Sequence, residues 1–379
     1  MPINPTSYTL YGAEVSLYSG KARAHLRFKQ VPFIEVQATR RLIERVLYPA
    51  VGLRILPVLQ TPDGTFVQDT TDILDHIEGA FPERSVYPSG PLQRMVALLF
   101  EVYGDEWLLL PAMHHRWAHR RANYPLVLGE FGAIVAPRVP RFLRPLAGLP
   151  LAVVFGGAYG EVLGIGRHNR AALEASYLGF LADFEAHLEA HPFLLGSRPS
   201  VGDFGLIGPL YAHLYRDPWP GELMRSRAPR VARWVQRMQN PGPKAGSFLP
   251  DDQVPETLIP LLQRFFEEFG PVAVDMMVKN AVWAARHPDA EHFPRFIGRQ
   301  PFHIGGVAST RRATPYTQWM WQRPLDAYRQ MTGEQRLRAD AFLSRAGGAD
   351  FMAERPGVRV ARVDNRVVPV RQDAPAKQD

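Results

Sequence analysis

The feature that most limits how this chain can fold is a change of hydrophobic period near residue 90: short strand and helix patterns alternate before it, and helical periodicity dominates after it. Ser7–Tyr11 reads as a strand entering a turn at Gly12. From about Ser16 a helix follows, with Ala22, Leu26 and further Ala24 and Phe28 on its apolar side. Val31–Val36 reads as a second strand. Arg41–Val46 reads as a short helical stretch that Tyr48-Pro49 should disrupt, because the residue before a proline is pushed out of the helical region. Ile55–Gln60 is a third strand, Asp63-Gly64 marks a hairpin, and Thr65–Gln68 is the returning strand. Asp69-Thr-Thr-Asp72 then resembles a helix start, with Ile73, Leu74 and Ile77 turned inward. The order β-α-β-α-β-β-α lets helices cover a small sheet, which predicts a layered α/β unit.

Phe81–Pro88 reads as a connection. Beyond Pro91, Leu92–Leu110 and Asn169–Ala190 are periodic enough for long helices. Val135–Gly166, rich in proline and glycine, is expected to be irregular or made of short helices. Ser200 and Asp203 read as an N-cap with its reciprocal partner, and Val231–Met238 as another helix. The prolines of Pro241–Pro260 place the end of a second domain there. Leu261–Arg286 and Gly333–Ala346 are helical again, and Gln372–Asp379 is a loose polar tail. The resulting division is 7–82, 90–240, 251–371 and the tail 372–379.

The chain has no cysteine, which excludes structural disulfides, cysteine zinc sites and a nucleophilic cysteine, so any thiol chemistry must use a thiol brought by a ligand. The formal net charge of +7 comes mostly from arginines that are dispersed rather than gathered into an aromatic-interleaved stripe, so no nucleic-acid partner is expected. The N-terminus lacks a basic region followed by an apolar run. Pro145–Gly160 is the nearest approach to a membrane segment, but it is short and interrupted by Pro150 and glycines, so stable membrane insertion is not expected. His114-His115 is a weak metal signal, because adjacent helical residues point apart.

The stretches YTLYGAEVSLYSGKARAHLRFKQVPF and RILPVLQTPDGTFVQDTTDILDHIE resemble, in order, the two halves of the glutathione S-transferase N-terminal domain. HPFLLGSRPSVGDFGLIGPLYAHL resembles the capped, buried helix of the same family's second domain, with Gly202 where relatives commonly place alanine; that glycine should weaken the helix locally without removing the cap. The resemblance covers about residues 7–240. It implies a thioredoxin-like α/β N-terminal domain, an all-α C-terminal domain and an additional, mostly helical extension.

It also implies a chemistry. Ser16 lies in the turn where the family places the hydroxyl or thiol facing the glutathione sulfur, and it would hydrogen-bond that thiolate; Tyr18 and Ser19 are rivals, whereas Tyr11 sits too early. By the same analogy Pro57 follows a cis bond and exposes the backbone of Val58 to an extended tripeptide. Asp69 and Thr70, assisted by Gln68, would hold the γ-glutamyl end. Tyr18, Tyr103, Trp107 and His114 are candidates for the second-substrate pocket, with His115 and Arg116 nearby. The expected activity is a cytoplasmic, homodimeric transferase that uses reduced glutathione as cosubstrate, needs no metal, and attacks a small, partly apolar electrophile. The alternatives are a noncatalytic binding or assembly protein, favoured if the extension closes the cleft, and a glutathione-dependent reductase.

Overall fold

The computed structural model describes residues 7–370, apart from the side chain of Ala158; the predicted polar tail lies outside the described residues. The first unit is a four-stranded sheet of order β2-β1-β3-β4. Strand β1 (Tyr8–Gly12) pairs in parallel with β2 (Phe33–Gln37) and antiparallel with β3 (Val58–Gln60), which pairs antiparallel with β4 (Phe66–Gln68). Because neighbouring strand residues face opposite sides, the pair Leu10–Leu59 and the pair Tyr11–Val58 build two different cores. Leu10 and Leu59 pack with Ala22 and Leu26 of α1 (Leu17–Phe28) and with Ile73 and Ile77 further along. Tyr11 and Val58 pack with Leu47 and Val51 on the other face.

That second face is covered by a helical run the sequence reading broke too early. It passes from α2 (Arg40–Leu42) through one π-turn at Ile43–Leu47 into α3 (Tyr48–Val51). Pro49 does not end it because it falls in the first turn of the last piece, where a missing N–H costs nothing. Helix α4 (Thr70–Ala80) closes the unit on the first face.

The helical region begins with α5 (Pro91–Val102), a π-turn at Tyr103–Trp107 and α6 (Leu109–Ala118), so the predicted single helix is interrupted. Then come α7 (Arg120–Val135), α8 (Arg144–Leu163), α9 (Arg170–Ala190), α10 (Val201–Ala212), α11 (Pro218–Arg227) and α12 (Pro229–Gln239). The stretch expected to be irregular is therefore mostly one twenty-residue helix, α8. Its glycines serve packing: a Cβ on Gly148 would strike the Leu128 carbonyl oxygen of α7, and one on Gly132 of α7 would strike that of Arg144. Gly202 plays the same part in α10, where an added Cβ would sit 2.7 Å from the Ala97 carbonyl oxygen of α5. Its cost in helix propensity is offset by close helix contact. The cap at Ser200 is present, with Asp203 accepting from the Ser200 N–H and hydroxyl at 2.8 Å each.

After residue 250 the chain forms α13 (Ile259–Arg286), the hairpin β5 (Arg299–Ile304) and β6 (Val307–Arg312), α14 (Tyr316–Arg329), α15 (Gly333–Ala346), α16 (Ala349–Ala353) and the hairpin β7 (Arg359–Val363) and β8 (Arg366–Val370). The two hairpins were not anticipated. The extension shares the core of the helical domain: Phe265, Phe269, Trp321 and Leu343 belong to one continuous buried cluster with Tyr103, Phe180 and Phe204. Uncharged amides fix α14 to β7. Gln322 exchanges two bonds with the Val360 backbone at 2.8 and 3.0 Å, and Gln318, held by Asn280, donates to the Val358 carbonyl.

Candidate functional site

Ser16 is the N-cap of α1. Its Oγ accepts from the Ser19 N–H at 3.3 Å, which leaves its own proton free to be donated, and the side chain is half-buried. The rival Ser19 is fully buried and its Oγ accepts from the Ala13 N–H at 3.2 Å. The helical domain pins this turn. Arg116, gripping Asp217 with two bonds of 2.7 and 2.8 Å, donates to the Val15 carbonyl at 2.8 Å, and Arg216 donates to that of Glu14 at 2.6 Å.

Across the sheet, the bond between Leu56 and Pro57 is cis. Val58 lies within the ladder, fully buried and opposite both Tyr11 and Gln68. Leu56 and Pro57 precede the strand, two positions and one position before the Val58 named in the sequence reading. Asp69 caps α4, its Oδ1 accepting from the Thr71 N–H at 2.9 Å. It does so at φ 85° and ψ 136°, a backbone conformation that costs a residue with a Cβ about 1–3 kcal/mol. Thr70 is buried beside it.

The extension reaches this edge. The Tyr316 hydroxyl donates to Asp69 Oδ2 at 2.8 Å, so both carboxylate oxygens are engaged. Arg362 of β7 donates to Gln68 Oε1 at 2.8 Å and to the Gln68 carbonyl, and pairs with Asp72. Arg323 of α14 grips Asp75 at 2.8 and 3.2 Å and the Tyr87 hydroxyl at 2.7 Å. Burial, with the Asp69 and Asp75 charges adding to it, pushes the Asp72 carboxyl up to about 6 against the pull of Arg362.

Beneath this cover lies a buried polar cluster. Lys21 of α1 bonds Glu101 at 3.0 Å and Asp105 at 2.5 Å; burial opposes its charge, yet the two carboxylates hold its pKa above the ordinary value. One ammonium serving two carboxylates in a desolvated site leaves Asp105 raised to about 7, with burial the main cause. The Tyr18 hydroxyl donates to the Asp105 carbonyl at 3.1 Å, and burial with the nearby Asp105 and Glu106 carboxyls holds that phenol well above its usual value. Glu106 accepts from Thr317 at 2.6 Å and lies 3.9 Å from the buried Arg311.

The structure thus groups Ser16, Tyr18, Pro57, Gln68, Asp69 and Thr70 around the sheet and the first helix, but Tyr103, Trp107 and His114 lie elsewhere. Tyr103 stacks on Phe265, with ring centres 4.8 Å apart. Trp107 donates to Glu268 at 2.7 Å and packs edge-on to Phe269 and Phe302. The extension occupies the face these two residues would have offered. His114 bonds Glu174 of α9 at 2.9 Å. No group of histidine and carboxylate side chains suited to a metal occurs among the described residues. The residues at this edge that sequence reasoning missed are Arg323 and Arg362; Tyr316 stood in an aromatic, arginine-rich run that carried no sign of its target.

Residues 10–85 match the glutathione S-transferase N-terminal domain model, and residues 167–237 match the glutathione S-transferase C-terminal domain model. The chain carries both glutathione S-transferase domains. Relative to those domains, the α7–α8 hairpin falls between the matched ranges and the extension beyond them. No curated protein matches the chain by sequence. Among solved structures it is similar to a glutathione S-transferase from Rhodospirillum rubrum F11, at 15% identity over 66% of this chain and 96% of that one, with a TM-score of 0.40. The beta-etherase of Sphingobium sp. strain SYK-6 gives 18% identity, 63% and 96% coverage and a TM-score of 0.43. A rice glutathione S-transferase in complex with glutathione gives 19% identity, 62% and 89% coverage and a TM-score of 0.38.

Proposed function

We propose that the chain binds reduced glutathione along the edge formed by Ser16, Leu56-Pro57 and Gln68–Thr70, and uses its thiol on a small, partly apolar electrophile, with the extension as the cover of that edge. The observation that carries this reading is Asp69: a carboxylate held in a costly backbone conformation at the start of α4, where a ligand ammonium and carboxylate both find partners. The Ser16 proton, unused by the cap, is available to a thiolate at the N-terminus of α1, which favours the charged sulfur. The sulfur then forms the new bond to the electrophilic carbon, and the electrons displaced there leave with the leaving group or are protonated. A cytoplasmic homodimer belongs to the same reading.

A second reading has its own observation. Tyr316 and Arg362 already satisfy Asp69 and Gln68, which favours a noncatalytic family member whose edge stays shut. Calorimetric titration with reduced glutathione separates the two. Binding by the parent that strengthens in Tyr316→Phe and is lost in Asp69→Ala supports a covered transferase site. Absence of binding at millimolar glutathione in both the parent and the Tyr316→Phe, Arg362→Ala double variant favours the second reading.

A further inference from the structure

Helix α8 has two apolar sides. The inner side packs on α7 and on the turn before α1 through Ala152, Leu151 and Phe155, together with Val127 and Phe131. The outer side is bare: Leu146 is 71% exposed, Leu149 46%, Val153 64% and Val154 62%, and Phe142 in the preceding turn is 79% exposed. Positions 146, 149 or 150, 153 and 157 recur at helical spacing, so the exposed side chains form one stripe rather than scattered hydrophobes. No ionisable carboxyl, amine or guanidinium occurs from Pro145 to Gly160. By length and composition α8 is apolar enough to cross a bilayer. The Gly132 and Gly148 contacts with α7 hold it instead along the body of the protein, which suits a helix lying in an interface plane.

The charges around the stripe select the occupant. Between Arg120 and Leu163 there are five arginines, at 120, 121, 138, 141 and 144, and two carboxylates, Glu130 and Glu161. Both carboxylates are paired with arginines from outside this hairpin, Glu130 with Arg216 at 2.7 Å and the exposed Glu161 with Arg312 at 3.0 Å. Arg138 and Arg141 stand exposed beside Phe142. An anionic headgroup layer meets both the apolar stripe and the arginines at its end, whereas a purely apolar partner would leave those arginines without a counter-charge. We propose that the outer face of α8, with Phe142, Arg138 and Arg141, docks the protein peripherally on an anionic lipid surface.

Because the chain has no cysteine, Val153→Cys gives a unique attachment point for an environment-sensitive fluorophore, and Leu337→Cys, on the exposed side of α15, gives a control. The full chain is mixed with vesicles of phosphatidylcholine alone or with phosphatidylglycerol added. A blue shift at position 153 and not at 337, only with phosphatidylglycerol, supports the proposal. Arg138→Ala with Arg141→Ala should weaken vesicle binding about 30-fold at low salt, and Leu146→Asp with Val153→Asp should abolish it with the thermal midpoint unchanged. Absence of vesicle binding by the parent overturns the proposal. So does equal binding to uncharged vesicles, and so does concentration-dependent self-association that the Leu146→Asp, Val153→Asp variant abolishes without any vesicle binding by the parent.

Discussion

The two segments that lie outside the matched family domains treat their surfaces in opposite ways. The extension brings Tyr316, Arg323 and Arg362 to a polar edge and satisfies it, whereas the α7–α8 hairpin builds its own inner contact and leaves its outer apolar side to solvent. A segment that covers a site need not be hydrophobic, and a segment that packs well need not be finished. What matters is which groups on each side still lack a partner.

The largest expected effect tests the covered side. Arg323→Ala leaves Asp75 and Glu101 without their shared cation, and should cost about 4 kcal/mol in urea unfolding; a loss below about 1 kcal/mol would show that the cover contributes little. The junction between the domains and the extension comes next, through His187 of α9. Its Nε2 faces the Phe193 carbonyl at 3.2 Å and its Nδ1 meets the Thr257 hydroxyl at 2.7 Å, a pattern that fits the neutral ring. Burial holds its pKa down to about 4 from 6.5. The unfolded chain therefore takes up the proton first on acidification: the contribution is complete above pH 6.5, is lost as pH falls toward 4, and amounts to about 3 kcal/mol. Unfolding curves of His187→Gln should be flatter over that window than those of the parent.

Tyr316→Phe should cost only about 1 kcal/mol, because it removes one hydrogen bond at a half-buried acceptor, while raising glutathione affinity in the calorimeter. Smallest of all, Leu146→Asp on the bare side should move the thermal midpoint by the equivalent of about 0.5 kcal/mol or less, in either direction. A larger loss there would mean that the stripe is buried in solution, and the contrast between the two segments would fail.

Local rules made much of the front domain readable. The first strand and helix were legible near Tyr8–Gly12 and Leu17–Phe28, Asp-Gly set the hairpin, and Asp69 announced α4. The same rules misjudged α8 and gave only the cost of Gly202, because propensity counts a glycine within its own helix and is blind to the neighbouring backbone that the missing Cβ admits. The β5–β6 hairpin escaped although β5 alternates buried and exposed residues and Gly305-Gly306 joins the strands, because its buried face opens with the polar Gln300; the β7–β8 hairpin owes its position to amide bonds from α14. Tyr103 and Trp107 were read as pocket residues from their spacing. Their partners, Phe265 and Phe269, stand more than 150 positions away, a distance no periodicity spans.

The amides of Gln318 and Gln322 have one more consequence. They carry no charge, so ionic strength barely touches them, while the contacts of Arg323 and Arg362 with α4 are ionic and partly open to water. Salt should therefore peel the cover from one end only. The extension stays hinged on its neutral seam, and the edge that meets α4 lifts first.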